Sequence, residues 1–209
     1  MKDRALEDRD HFGAIILCGG RSVRMGRDKA WLTLNGETFL ARICRIATEF
    51  AAEIVIVAAE HQKLPDLPPR ITIVRDFAPD QGPLAGLLTG LRCLKESKPE
   101  IDTVWLAACD APFVHPNVVR HLTGCLGDHD AAIVTVDNQV CPLGSVYRTR
   151  VESLVGRLFD GGERRMTELV ARLNSQPVPA ASLRWLDDSL QFLQNINTHD
   201  DYRHLTSAD

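Results

Sequence analysis

The residues best suited to chemistry are concentrated in one short stretch, Leu17-Cys18-Gly19-Gly20-Arg21-Ser22-Val23-Arg24-Met25-Gly26-Arg27-Asp28-Lys29-Ala30, directly after an apolar run. Its three glycines let backbone N–H groups approach a ligand with no Cβ in the way. Arg21, Arg24, Arg27 and Lys29 add four cations within nine residues. This combination suits a triphosphate, whose negative charges need positioned donors. The spacing fits neither G-x-x-x-x-G-K-[ST] nor G-x-G-x-x-G, so it is neither a P-loop nor a dinucleotide fingerprint. A solvated basic turn is the bland alternative.

Asp110 is the second candidate. It follows the apolar run Val104 to Ala108 and so belongs at the carboxyl end of a buried strand, where open α/β sheets bind ligands. The end of the first strand, at Cys18 and Gly19, opens onto the same edge. A hard oxygen ligand beside a polyphosphate suits Mg2+, which takes one or two carboxylates together with phosphate oxygens and water. Asp110 could equally cap a turn before Ala111-Pro112, and Asp76 could merely end a strand. Asp28 reads as an orienting neighbour of Lys29. Gly82 to Gly86 open a helix with Pro83 in its first turn, and a helix N-terminus favours an anionic or polar ligand. Seven histidines without an H-x-x-x-H pair give a zinc site little support.

The elements that must position these residues follow from the apolar pattern. Near-continuous runs at Phe12 to Cys18, Ile54 to Ala58, Ile71 to Val74 and Thr103 to Ala108 alternate with helical stretches. That is the pattern of βαβ units, and it predicts a Rossmann-like, doubly wound, mostly parallel α/β sheet. Helices are expected from about Glu37 to Phe50, from Pro83 to Glu96, after Pro116, at Glu152 to Phe159 and at Arg164 to Leu173. Ala131 to Val136 reads as a fifth strand and Val140 to Tyr147 as an extended segment. Pro177 and Pro179 read as loop, and Leu190 to Leu205 as a short strand, a polar turn and a last helix. The 209 residues fit one domain.

Composition excludes several classes. With 44% hydrophobic and 25% charged residues the chain is neither disordered nor collagen-like. A net charge of −4, from 24 basic and 28 acidic residues, provides no global field for nucleic acid or a membrane surface. The charged start and the absence of a long apolar run predict a cytoplasmic protein. Six cysteines without a C-x-x-C pair suit reduced, mostly buried thiols.

Five ordered blocks carry a resemblance. They are the Gly-Gly, Arg-Met-Gly and Asp-Lys elements of the first loop; Asp76 with Gly82-Pro83-Leu84-Ala85-Gly86; Cys109-Asp110-Ala111-Pro112-Phe113; Gly162-Glu163-Arg164-Arg165; and Asn195-Ile196-Asn197-Thr198. From about Ala14 to Tyr202 the chain resembles the MobA-like nucleotidyltransferases, most closely their molybdenum cofactor guanylyltransferase branch. The resemblance implies a nucleotide-diphospho-sugar transferase type of fold and transfer of GMP from GTP to the phosphate of molybdopterin, with Mg2+ required. It also implies residue roles. Leu17, Cys18 and Gly19 would contact guanosine, and Gly20, Arg24, Gly26 and Lys29 the triphosphate. Asp76, Gly82 and Gly86 would contact the nucleotide, and Asp110 would hold the metal. Catalysis would rest on Arg24, Lys29 and Asp110. Residues 11–112 would form the nucleotide half and 113–205 the acceptor half, where Arg164, Arg165, Asn195 and Asn197 would meet the pterin-bearing substrate. Cofactor-insertion proteins and molybdoenzymes would be later partners.

Two departures from the pattern stand out. The asparagine that the family often carries after the second strand is missing from Val55-Ile56-Val57-Ala58-Ala59-Glu60-His61, and cysteine replaces the commoner alanine at position 18. Cys18 and Cys109 are expected to approach the nucleotide site and to make activity sensitive to thiol alkylation. Gly19-Gly20 favours guanine over cytosine, since related cytidylyltransferases tend to carry alanine there. Cytidylyl or sugar-phosphate nucleotidyl transfer and a non-catalytic nucleotide-binding adaptor are the other readings. Retention of both Lys29 and Asp110 argues against the adaptor.

Overall fold

The computed structural model describes residues 10–19, 28–78 and 81–206. Gly20, Arg21, Arg24, Gly26 and Arg27 lie outside them. In chain order the elements begin with β1 (Phe12–Leu17), a 3-10 turn at Lys29–Trp31, β2 (Thr33–Leu34), β3 (Glu37–Thr38), α1 (Phe39–Ala47), β4 (Glu53–Ala58) and β5 (Thr72–Arg75). They continue with α2 (Pro83–Ser97), β6 (Thr103–Ala108), α3 (Pro116–Cys125), β7 (Ala131–Val136) and β8 (Gln139–Arg148). The last are α4 (Glu152–Asp160), α5 (Met166–Arg172), β9 (Ser175–Pro179) and α6 (His199–Thr206).

Seven strands form one sheet in the order β5-β4-β1-β6-β8-β7-β9. The first four of that order are parallel, β8 runs antiparallel between β6 and β7, and β9 is parallel to β7. Helices cover both faces, which is why β1 is buried at every position. Along β1, Ala14 and Ile16 join Leu40 and Ile43 of α1 in one core. Ile15 and Leu17 join Leu84, Leu87 and Leu91 of α2 in the other.

Helix α2 lies unusually close to β1 because two of its residues lack a side chain. A Cβ at Gly90 would sit 2.7 Å from Ile15 Cγ2, and one at Gly86 would sit 2.9 Å from Leu17 Cδ2. Pro83 starts the helix after Gly82, whose φ of +83° only glycine adopts cheaply.

Several boundaries differ from the sequence reading. Pro177 and Pro179 lie in a strand, β9, rather than in a loop. Two prolines at this spacing put both missing N–H groups on the same side, and at the edge of a sheet that side has no neighbour to bond. Leu190 to Leu205 contains no strand: a 3-10 turn at Gln191–Leu193 leads through an extended stretch to α6. The helix expected from Glu37 begins at Phe39, because Asn35 and Gly36, both with positive φ, turn β2 into β3 first. Thr38 then caps α1, its hydroxyl accepting from Ala41 N–H at 3.3 Å. The helix expected at Arg164 to Leu173 shortens to Met166–Arg172.

The close packing of α2 predicts opposite outcomes for two glycines. Gly90→Ala should lower stability in urea unfolding, because overpacking against rigid Ile15 costs about 1–3 kcal/mol and exceeds the helix-propensity gain of about 1 kcal/mol. Gly124→Ala in α3 meets nothing within 4 Å and should raise it. A gain from both changes would contradict the packing described.

Candidate functional site

Strand order reverses between β1 and β6, since β4 and β5 continue to one side of β1 and β6 begins the other. Carboxyl ends that diverge in this way leave a crevice, the common ligand position in open α/β sheets. Backbone bonds set the chain at these ends. Cys18 and Gly19 N–H donate to Val57 O at 2.8 and 3.2 Å, Cys109 N–H donates to Leu17 O at 2.9 Å, and Asp76 N–H donates to Ala58 O at 2.9 Å. A cavity of about 330 Å³ opens above them. Leu17, Cys18, Gly19, Lys29, Asp76, Gly82, Gly86 and Asp110 all line it, so every described residue expected at the nucleotide is brought to one place.

Charge at this cavity is organised around Lys29. Its Nζ donates to Asp110 Oδ2 and to Asn197 Oδ1, each at 2.7 Å. The lysine and aspartate side chains are only 16% and 17% exposed. Asp28 secures the lysine's own turn, its Oδ1 accepting from Ala30 N–H at 3.0 Å. Asp110 Oδ1 is buried and has no hydrogen-bond partner among the described residues. A buried carboxylate oxygen without a donor is costly, and a hard divalent cation would satisfy it. No group of three or more His, Cys, Asp or Glu side chains converges among the described residues, so an all-protein cage is not what the geometry offers. One carboxylate beside a polyphosphate is the arrangement Mg2+ accepts.

The other walls are mixed in character. Gly82 caps α2 with no side-chain cap bond among the described residues, and the helix start lines the cavity. Gly86 contributes by its smallness, since it leaves room for Leu17. Asp76 Oδ1 accepts from Ala78 N–H at 3.1 Å and from Thr89 Oγ1 at 3.4 Å, so part of its capacity serves the local turn.

A second cavity, of about 450 Å³, shares the walls Ala108 and Leu143 with the first. It is mostly apolar, with Trp105, Val118, Val119 and Phe192 in its lining, and its polar groups include Asn195 and His115. Asn195 and Asn197, both expected at the acceptor, serve two neighbouring places: Asn195 lines the second cavity and Asn197 bonds Lys29. Neither arginine expected at the acceptor lines either cavity. Arg164 donates to Gln81 Oε1 at 2.7 Å and to two carbonyls, and its guanidinium stacks 4.0 Å from the Phe159 ring. Arg165 pairs with Glu163 and Glu168 on the surface, and that bonding holds the Glu163 carboxyl down at about 2.

Three participants carried no signal in sequence. His115 Nδ1 is buried and unpartnered among the described residues. Gln62 donates to Cys18 O and to Asp28 Oδ2, and Arg75 donates to Ala59 O and Gln62 O. A glutamine between His61 and Lys63 in a polar stretch gives no local hint of contacts to residues 44 and 34 positions away.

The family model of the MobA-like NTP transferase domain matches residues 14–178. A Mycobacterium avium protein named "Probable molybdenum cofactor guanylyltransferase" is 32% identical over 206 residues, covering 97% of this chain and 99% of the relative. A Methanothermobacter thermautotrophicus protein of the same name is 31% identical, covering 90% and 95%. The crystal structure of molybdopterin-guanine dinucleotide biosynthesis protein A from Archaeoglobus fulgidus superposes with a TM-score of 0.76 at 25% identity, covering 94% of this chain and 97% of that one.

Cys18 and Cys109 both line the first cavity, as expected, but both are buried. The Cys109 thiol is pushed well above its ordinary range by its bond to Cys18, by burial and by nearby Asp110 and Asp28. Since the thiolate is the nucleophile, Cys109 should resist iodoacetamide at neutral pH in the native protein. Mass spectrometry of briefly alkylated protein should find adducts first at the half-buried Cys93, Cys125 and Cys141. Fast modification of Cys109 would contradict its burial.

Proposed function

Because the chain belongs to the MobA-like NTP transferase family, we propose that this site transfers GMP from GTP to the phosphate of molybdopterin and releases pyrophosphate. The observation that carries the reading is the Lys29–Asp110 pair on the wall of the first cavity, one residue from Ala111 in the wall of the second. The names of the relatives support the choice of base and acceptor. GTP takes the first cavity, with Leu17, Cys18 and Gly19 against guanosine and Asp76, Gly82 and Gly86 along the nucleotide. Gly20, Arg24, Gly26 and Lys29 serve the triphosphate. The acceptor takes the apolar second cavity, whose walls suit a flat ring system, with Asn195 and His115 as polar contacts. Residues 11–112 are thus the nucleotide half and 113–205 supply most of the acceptor's contacts.

An oxygen of the acceptor phosphate, already anionic at neutral pH, attacks the α-phosphorus of GTP in line. The bond from that phosphorus to the bridging oxygen breaks, and its electron pair leaves with pyrophosphate. No protein nucleophile or proton transfer is required, so the chain's task is positioning and charge neutralisation. Lys29 exchanges Asp110 for phosphate oxygens when GTP enters, and Asn197 keeps the freed ammonium near the crevice. Asp110, relieved of the lysine, would hold a divalent cation, Mg2+ in this reading. When bound, that ion supplies neutralisation of phosphate charge in the transition state. Arg24 neutralises charge that grows on the leaving group.

Thermal-shift measurement with GTP, CTP, ATP and UTP, each with and without Mg2+, should give a selective, Mg2+-dependent rise for GTP. A selective rise with CTP would move the base assignment to cytosine. Asp110→Asn should keep the fold and reduce acceptor-dependent pyrophosphate release by roughly a hundredfold or more. Undiminished release would remove the metal role from Asp110.

A further inference from the structure

We propose that Gln62 is a positioning residue of the nucleotide site, holding the carboxyl end of β1 and the turn that carries Lys29 in fixed relation. The inference rests on the nucleotide reading above. Gln62 lies half-buried in the turn after β4. Its Oε1 accepts from Ala59 N–H at 3.1 Å, while its Nε2 donates to Cys18 O at 3.1 Å and to Asp28 Oδ2 at 2.8 Å. These partners decide the amide orientation. Flipped, the amide would face Ala59 N–H with its own N–H groups and set its oxygen against a carbonyl and a carboxylate.

The tie is continuous on both sides. Behind Gln62, Arg75 Nη1 at the end of β5 donates to Ala59 O at 2.9 Å and to Gln62 O at 3.0 Å, fixing the turn to the sheet. Ahead of it, the other oxygen of Asp28 takes Ala30 N–H, so the 3-10 turn that starts at Lys29 inherits the position of Asp28. Lys29 in turn reaches Asp110. Cys18 and Asp28 flank the glycine-and-arginine stretch in sequence, and one side chain bonds them both. A glutamine serving only its own turn would need the bond to Ala59 and no more. Without its two donated protons, Cys18 O and Asp28 Oδ2 lose a partner in a half-buried place, and the lysine turn loses its reference to β1. Misplacement of a binding group by about 1 Å is enough to cost roughly a hundredfold in a positioned reaction.

The test reverses the polarity of the bond. Gln62→Met removes it, and Gln62→Glu turns a carboxylate toward Asp28 and Cys18 O; each should weaken GTP binding about tenfold or more by calorimetry. Adding Asp28→Asn to Gln62→Glu lets the new amide at position 28 donate to the introduced carboxylate at position 62, while the amide oxygen still accepts from Ala30 N–H. Affinity should then recover at least about threefold over Gln62→Glu alone, a coupling that a general loss of packing does not produce. Unchanged GTP affinity in Gln62→Met, or penalties that simply add in the double variant, overturns the proposal. So does loss of the fold in both single variants, which would make the tie structural only. If the unaltered protein binds GTP, these outcomes concern Gln62 alone. If it does not, the nucleotide reading fails first and this inference with it.

Discussion

Lys29 and Asp110 meet at the carboxyl edge of the sheet with about a sixth of each side chain exposed, and most of the site's architecture keeps them there. A charge so far removed from water is tolerated only when paired and hydrogen-bonded, and removing one partner leaves the other uncompensated. The pair therefore draws three distant segments together. The lysine comes from the turn after the first strand and the aspartate from the end of β6. The C-terminal stretch adds Asn197 to the lysine and donates Ile196 N–H to Asp110 O at 2.8 Å. Tyr202 of α6 extends this closure, its hydroxyl donating to Thr33 O in the β2–β3 hairpin at 2.9 Å.

In the proposed reaction the pair would be exchanged: polyphosphate would compete for the ammonium and a divalent cation for the carboxylate. The unpartnered Oδ1 shows that the carboxylate is not fully served by the described residues alone. The crevice also needs α2 to lie close on β1, and Gly86 and Gly90 permit this. Its N-terminus, capped by Gly82, then reaches the cavity edge. The two cavities share Ala108 and Leu143, so β6 and β8 contribute walls to both.

The walls of the second cavity are less legible in the sequence than those of the first. Arg164 and Arg165 follow a glycine pair and look available, yet one is occupied by Gln81, Phe159 and backbone oxygens and the other by Glu163 and Glu168. Paired arginines do not announce their partners locally. The apolar lining contributed by Val136, Leu143 and Phe192 comes from elements with no common sequence motif, and only their convergence makes a cavity.

What the sequence by itself determined is local or periodic. Continuous apolar runs identified the strands β1, β4 and β6 because parallel strands are buried on both faces; glycines and Pro83 marked the helix start, and strand ends placed Cys18 and Asp110 on one edge. Tertiary structure alone decided matters that depend on neighbours distant in the chain. Pro177 and Pro179 form a strand because β9 has an open outer side, a property of the sheet and not of the residues. Lys29 faces Asp110 across 81 positions, and Gln62 spans 44 and 34 positions to join Cys18 and Asp28. Hydrogen bonds of that range are set by how the segments pack, and no local spacing encodes them.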